Sequence, residues 1–170
     1  MFVDFEGTVS YAKVFEQNRD MGTNLPEGSD ARNKIEAEQG HYVANVFITK
    51  ETKKAMIAAG VPNKGMVGQL FKEDDDGNLF YKCKRPHFNP RLKVAEGGMV
   101  MGAPKVVYTN DEGENAVWDF ETDGFIGNES LVKVRLDVWE GKIVTLHAIK
   151  VLELVEFEGS EGGSDGLAGF

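Results

Sequence analysis

Val132-Lys133-Val134-Arg135-Leu136-Asp137-Val138-Trp139, then Glu140-Gly141, then Lys142 to Val155: this run carries the strongest structural signal in the chain. Its first half alternates apolar with charged or aromatic residues, the period of a strand with one buried and one solvated face. Glu140-Gly141 supplies a turn, and the β-branched and aliphatic residues that follow read as the return strand of a long hairpin. That second strand has apolar residues on both faces, Val144, Leu146, Ala148 and Leu152 on one and Ile143, Ile149 and Val151 on the other. Such a pattern needs either cover on both sides or a bulge that exchanges the faces.

Working outward, further strands are expected over Thr8–Phe15, His41–Thr49, Val67–Phe71, Leu79–Arg85, Lys105–Thr109 and Ala116–Phe120. Asp74-Asp75-Asp76-Gly77-Asn78 and Asn110-Asp111-Glu112-Gly113-Glu114 each read as a hairpin turn, because Asp, Asn and Gly tolerate positive φ and bond back to the local backbone. One helix is expected over Lys50–Ala59, capped by Thr49, with Ala55, Met56 and Ala59 on its apolar side and Gly60 and Pro62 ending it. Glu16 to Gly40 is polar, with a short helical turn near Ala31–Ala37, and loops of this length are often functional. The fold class expected is mainly β: a small Greek-key barrel of the OB type with one short helix, a long loop in the N-terminal half and a disordered acidic tail. A β-sandwich is the alternative, which periodicity does not separate. The expected division is a barrel domain over residues 1–157 and a flexible tail over 158–170.

The chain has 170 residues and a formal net charge of −9. Glu153 to Phe170 holds five acids and no base, which leaves 23 acids against 19 bases, or −4, on the rest. A mildly acidic body argues against coating duplex DNA by bulk charge but allows a local basic groove. The single cysteine, Cys83, fits a reducing compartment. Met1 to Glu6 lacks the basic start and apolar run of a signal peptide, and no segment reaches the ~18 apolar residues of a membrane span. A cytoplasmic protein is therefore expected, and Asn128-Glu129-Ser130, a glycosylation sequon by spelling, is read as chance.

Leu79 to Ala95 carries Lys82, Lys84, Arg85, Arg91 and Lys93 and no acid, interleaved with Phe80, Tyr81 and Phe88. On a strand, Phe80, Lys82 and Lys84 share one face and Tyr81, Cys83 and Arg85 the other. A ring followed by two cations can stack a base and track a phosphate backbone, and stacking accepts any base. An edge strand kept soluble by lysines would look the same. Lys133, Arg135 and Trp139 repeat the theme, as do Tyr11, Lys13 and Phe15 near the N-terminus; three such strands side by side would make one continuous platform. The tail ends on Phe170, an apolar ring beside a carboxylate, which suits a partner's pocket with a basic rim better than it suits solubility. Cys83 and His87 have a ligand-like gap, but one Cys and three His make a poor zinc set. Asp74 to Gly77 lacks the spacing of a calcium loop. No phosphate-binding Gly-rich loop or nucleophile motif is present, and no cofactor is expected.

These features together resemble the single-stranded DNA-binding proteins of tailed phages, OB-fold proteins with acidic tails ending in Phe. The likeness rests on Gly7 to Phe15 with Asn18-Arg19-Asp20, on Lys84-Arg85-Pro86-His87, on Ile126-Gly127-Asn128-Glu129-Ser130, on Ala148 to Val155, and on the tail. It departs at Glu129, where the family pattern often has Gly. The resemblance implies a non-catalytic protein that coats and protects exposed single strands during phage DNA replication and recombination. Its tail, through Glu158, Glu161, Asp165 and Phe170, would recruit replication proteins such as DNA polymerase and compete with DNA. It implies stacking by Tyr11, Phe15, Phe80, Tyr81, Phe88 and Trp139, and phosphate contacts by Lys13, Arg19, Lys82, Lys84, Arg85, Arg91, Lys93, Lys133 and Arg135. It places the protein in the cytoplasm of an infected bacterial host, with no membrane partner, and is compatible with a homodimer. Two other readings stay open: a metal-dependent DNA-processing enzyme, and a protein-binding adaptor of OB fold.

Overall fold

The computed structural model describes residues 1–65 and 68–155. In chain order the strands are β1 (Phe2–Lys13), β2 (His41–Phe47), β3 (Lys64–Gly65), β4 (Gly68–Gln69), β5 (Phe71–Glu73), β6 (Leu79–Pro86), β7 (Phe88–Asn89), β8 (Met99–Val100), β9 (Lys105–Thr109), β10 (Asn115–Val117), β11 (Leu131–Trp139) and β12 (Ile143–Glu153). The helices are α1 (Asp30–Ala37), α2 (Lys50–Ala58) and α3 (Phe120–Asp123). The tail residues Glu158, Glu161, Asp165 and Phe170 lie outside the described residues.

Eight strands form one sheet in the order β10-β9-β12-β11-β1-β2-β6-β5, all antiparallel except β9 with β12. Strands β1, β2 and β6 form a meander, and β11 returns to pair with the far side of β1, so four long strands lie in the order β11-β1-β2-β6. That is the Greek-key arrangement. The sheet curls until β6 approaches β12, where the Arg85 guanidinium donates to the Leu146 carbonyl at 3.4 Å. The result is an OB-type barrel, bridged at its seam by a side chain.

β11 alternates buried and exposed along its whole length, as its sequence requires. β12 resolves its two apolar faces by a bulge: Arg135 faces Ala148 and Leu136 faces Leu146, which leaves His147 unpaired. The extra residue exchanges the faces, so Leu146 and then Ile149 and Val151 all point inward. They meet Val3, Phe5 and Val9 of β1, Val46 of β2, Tyr81 of β6 and Met56 of α2 in one core.

β1 changes partner midway, from β11 over Phe2–Thr8 to β2 over Thr8–Lys13. Gly7 permits the crossing: a Cβ there would come within 2.2 Å of the Phe47 carbonyl oxygen. A second bulge follows between Ser10 and Lys13, with Tyr11 at φ 56°. The Tyr11 N–H, lost to the ladder, donates to Asn128 Oδ1 at 3.0 Å, and the Glu129 N–H donates to the Val9 carbonyl at 2.7 Å. Glu129 sits at φ 72°, in the left-handed region that favours glycine, which is why a glycine suits this position.

Several boundaries differ from expectation. The first strand starts at Phe2, because Val3 and Phe5 alternate with Asp4 and Glu6, and it ends before Phe15. The expected strand Ala116–Phe120 stops at Val117, and Phe120 opens α3 under an Asp119 cap. Gly68–Gln69 and Phe71–Glu73 stand where Val67–Phe71 was expected. α2 is capped by Thr49 as read, with the Thr52 N–H donating to Thr49 Oγ1 at 3.1 Å. The Asp74 turn is held by its own carboxylate, which accepts the Asp76 and Asn78 N–H groups at 3.0 and 2.7 Å. The small β7–β8 hairpin carries no period and was not expected.

Candidate nucleic-acid interface

The outer face of β6 holds Phe80, Lys82 and Lys84, and its inner face Tyr81 and Cys83. Register extends this face into rows across the sheet. Lys72, Phe80, Phe47 and Thr8 make one row; Lys82, Asn45 and Ser10 a second; Lys84, Val43 and Lys13 a third. Phe47 and Phe80 lie with ring centroids 5.4 Å apart. An aromatic pair flanked by Lys72 thus sits at one end of the face, with Lys82, Lys84 and Lys13 in the rows that follow. Asn45, between them, has a buried Oδ1 with no hydrogen-bond partner among the described residues.

The electrostatics of this face are one-sided. Burial, then Lys82, Lys72 and Lys34, push the Lys84 ammonium down to about 8, against a weaker opposing pull from Asp20. Lys82 is also lowered, by burial and then by Lys72. Among the described residues neither lysine forms an ion pair, nor does Lys72. His41, at the end of β2, lies 3.6 Å from Asp20, yet burial and Lys84 hold its imidazole down to about 4, so it is neutral at pH 7. A cluster of crowded cations with no carboxylate paired to its lysines among the described residues is suited to a polyanion.

The remaining expected site residues fall into three groups. Two are in the core. Tyr81 is 0% exposed, packed edge-on against Phe71 at 4.7 Å, and Phe15 is 7% exposed, against Phe120 at 5.1 Å. Neither presents a face to a ligand, and both assignments are corrected here. β1 ends at Lys13, so the alternation that would have put Phe15 beside Tyr11 and Lys13 does not reach it. Tyr11 itself is exposed, with Lys13 Nζ 4.6 Å above its ring.

A second group is committed to the backbone. Arg85 donates to the Gly102 and Met101 carbonyls at 2.9 and 2.8 Å, besides Leu146, so its guanidinium anchors the β7–β8 hairpin and the barrel seam. Arg19 donates to the Gln39 and Glu16 carbonyls at 2.9 and 3.0 Å and ties down the long loop. Phe88 lies over Gly98, where a Cβ would meet its ring at 2.2 Å. Arg91 and Lys93 lie beyond it on the exposed tip of that hairpin.

The third group is elsewhere on the sheet. Lys133 and Arg135 face Glu6 and Asp4, on the half of β1 that precedes the crossing, and Trp139 is 60% exposed at the end of β11 beside the hairpin turn. The single platform expected from three strands is therefore two separate surfaces. Phe47, Asn45 and Lys72 were missed; only strand register, which brings them beside Phe80 and Lys82, could have found them. No cluster of three or more potential metal-ligating His, Cys, Asp or Glu occurs among the described residues. His87 is engaged through Nδ1 with the Tyr42 hydroxyl at 2.7 Å, and Cys83 is buried with its thiol pushed up by desolvation.

No protein-family model matches the sequence, and no curated protein matches it significantly. Solved structures do resemble it. The single-stranded DNA-binding protein of bacteriophage Enc34 in complex with ssDNA superposes with a TM-score of 0.52 at 12% identity, over 93% of this chain and 89% of that one. A C-terminal truncation of the same phage protein gives 0.51 at 12% identity, over 91% and 87%. At that identity what is common is the fold, and it extends over nearly the whole of each chain.

Proposed function

We propose that the chain binds single-stranded DNA without catalysis and with little sequence preference, across the outer face of β2, β6 and β5. One observation carries the reading: Lys72, Lys82 and Lys84 crowd beside the Phe47–Phe80 ring pair with no carboxylate paired to them among the described residues. In an OB barrel the second and third strands form the oligonucleotide face, and β2 and β6 hold those places. Bases stack on Phe47, Phe80 and Tyr11, and phosphates meet Lys13, Lys72, Lys82 and Lys84. Phe88, Arg91 and Lys93 extend the surface along the β7–β8 hairpin.

The sequence resemblance supports the finer part of the reading. The chain coats and protects exposed strands during phage DNA replication and recombination, in the host cytoplasm. Residues 158–170 form a tail that recruits replication proteins such as DNA polymerase and competes with DNA for the groove.

A mobility-shift titration with single-stranded DNA, duplex and RNA at two salt concentrations tests the binding. Four phosphate contacts predict that log affinity for single strands falls by about 3 for each tenfold rise in salt. Binding that ignores salt, or that prefers duplex, would reject the proposal. Deleting Glu158–Phe170 should tighten DNA binding at low salt and abolish partner contacts; equal or weaker DNA binding would count against tail competition.

A further inference from the structure

The other half of the sheet has its own concave surface. Across β11, β12 and β9 the outer face surrounds a cavity of about 290 Å³ lined by Lys105, Lys133, Arg135, His147 and Lys150, with Asp4 at its edge. Register packs the cations closely. Lys133 stands directly opposite Lys150, and Ala148 is flanked by Arg135 on one side and Lys105 on the other. Like charges facing each other across an antiparallel pair repel. Asp4 relieves this only in part: both its oxygens accept from Arg135, at 2.8 and 2.9 Å, and its pull on Lys133 is weaker. Glu6 faces Lys133 on β1, yet among the described residues Lys105, Lys133 and Lys150 form no ion pair. The bulged His147 puts its ring 4.6 Å from the exposed ring of Phe2, over which the Arg135 guanidinium lies at 5.2 Å. Burial, then Lys105 and Arg85, lower the His147 imidazole, with Asp137 opposing.

We propose that this surface is a second nucleic-acid site, which takes the phosphate backbone of a strand segment other than the one in the β2–β6 groove. The inference rests on the proposed function and extends it: one chain holds two segments. One free phosphate cannot meet cations spread over three strands, about 10 Å. Phosphates linked in a chain can, and the His147 ring in the cavity lining, with the exposed Phe2 ring beside it, offers a base a ring to lie against. The two sites occupy different halves of β1, since this surface borders Asp4 and Glu6 while the groove borders Thr8 to Lys13.

Six-nucleotide thymidylate is too short to span both sites, so its stoichiometry on the full chain, by native mass spectrometry and calorimetry at low salt, separates them. Two molecules should bind per chain, one after K105Q/K133Q/K150Q, one after K82Q/K84Q, and none when the sets are combined. Photo-cross-linking of 4-thiothymidine oligonucleotides to wild-type β9 and β12 gives the same answer without relying on a variant. One oligonucleotide per chain, unaltered by K105Q/K133Q/K150Q but lost in K82Q/K84Q, overturns the second site and leaves the groove standing. No binding by the wild type overturns both. A synthetic peptide of residues 156–170 is the third ligand: if that peptide, and not the oligonucleotide, is lost in K105Q/K133Q/K150Q, the surface is a dock for acidic protein and the inference fails.

Discussion

Raising the pH from 7 to 9 discharges Lys84 before it touches an ordinary lysine, and DNA affinity should fall with that charge. With its ammonium held down to about 8 by burial and by Lys82, Lys72 and Lys34, Lys84 is protonated in most molecules at pH 7 and neutral in most at pH 9. The charged fraction drops about tenfold over that interval, which is about 1.4 kcal/mol of binding if the contact needs the ammonium. Lys82 is lowered in the same direction, by burial and then by Lys72. His41, held down to about 4, is neutral throughout and adds nothing. The folded-state value lies below the unfolded one, so above about pH 8 the unfolded chain holds the extra proton and the Lys84 contribution to stability rises with pH. The DNA-free chain therefore gains stability over the range in which it loses DNA. The assay is fluorescence anisotropy of Cy3-labelled oligo-dT at constant ionic strength, with denaturant melts of the free protein alongside. Wild type should weaken about tenfold, whereas K84R, whose guanidinium stays charged, should stay flat. A flat wild-type profile, or a K84R profile that follows the wild type down, refutes the reasoning.

Three further substitutions separate the groove from its scaffold. Phe80→Ala should cost roughly 1–3 kcal/mol of oligo-dT binding with a nearly unchanged salt slope, because a stacked base is lost and no phosphate contact is; titrations at three salt concentrations read both. Tyr81→Phe should leave DNA affinity unchanged and stability equal or higher by up to about 1–3 kcal/mol, since the Tyr81 hydroxyl is buried with no hydrogen-bond partner among the described residues; a urea melt and one binding isotherm decide it. Arg85→Lys should lower stability by roughly 1–3 kcal/mol, because one ammonium cannot serve the three carbonyls that the guanidinium does. Its salt slope should match wild type, and a reduced slope would return Arg85 to the phosphate-contacting set.

What the sequence discloses here follows strand parity. β11 was legible residue by residue, because its alternation is unbroken and one face is fully buried. In β12 the doubled apolar pattern announced a bulge or two-sided cover, and the unpaired His147 proves to be the cause. At Tyr11 nothing announced the same event. The bulge there occurs at a residue with a left-handed backbone and no glycine to mark it, and the strand ends two residues later at Lys13, so Phe15 falls outside the alternation that assigned it. For β6 the two faces were sorted correctly, but alternation does not say which one is inside, and Tyr81 was counted with Phe80. Arg85 illustrates a different limit: the carbonyls it serves lie 16, 17 and 61 residues away. Lys133 and Arg135 were rightly seen as outward and cationic, yet which cations share a surface depends on where β1 exchanges β11 for β2, and that is set by the close approach at Gly7.

The direct test of the β2–β6–β5 face is a titration of the 15N-labelled protein with oligo-dT, followed by amide chemical shifts. The amides of Asn45, Phe47, Lys72, Phe80, Lys82 and Lys84 should move first and furthest, saturating together. Saturable binding that leaves those six amides unshifted would show that single-stranded DNA is held by some other surface.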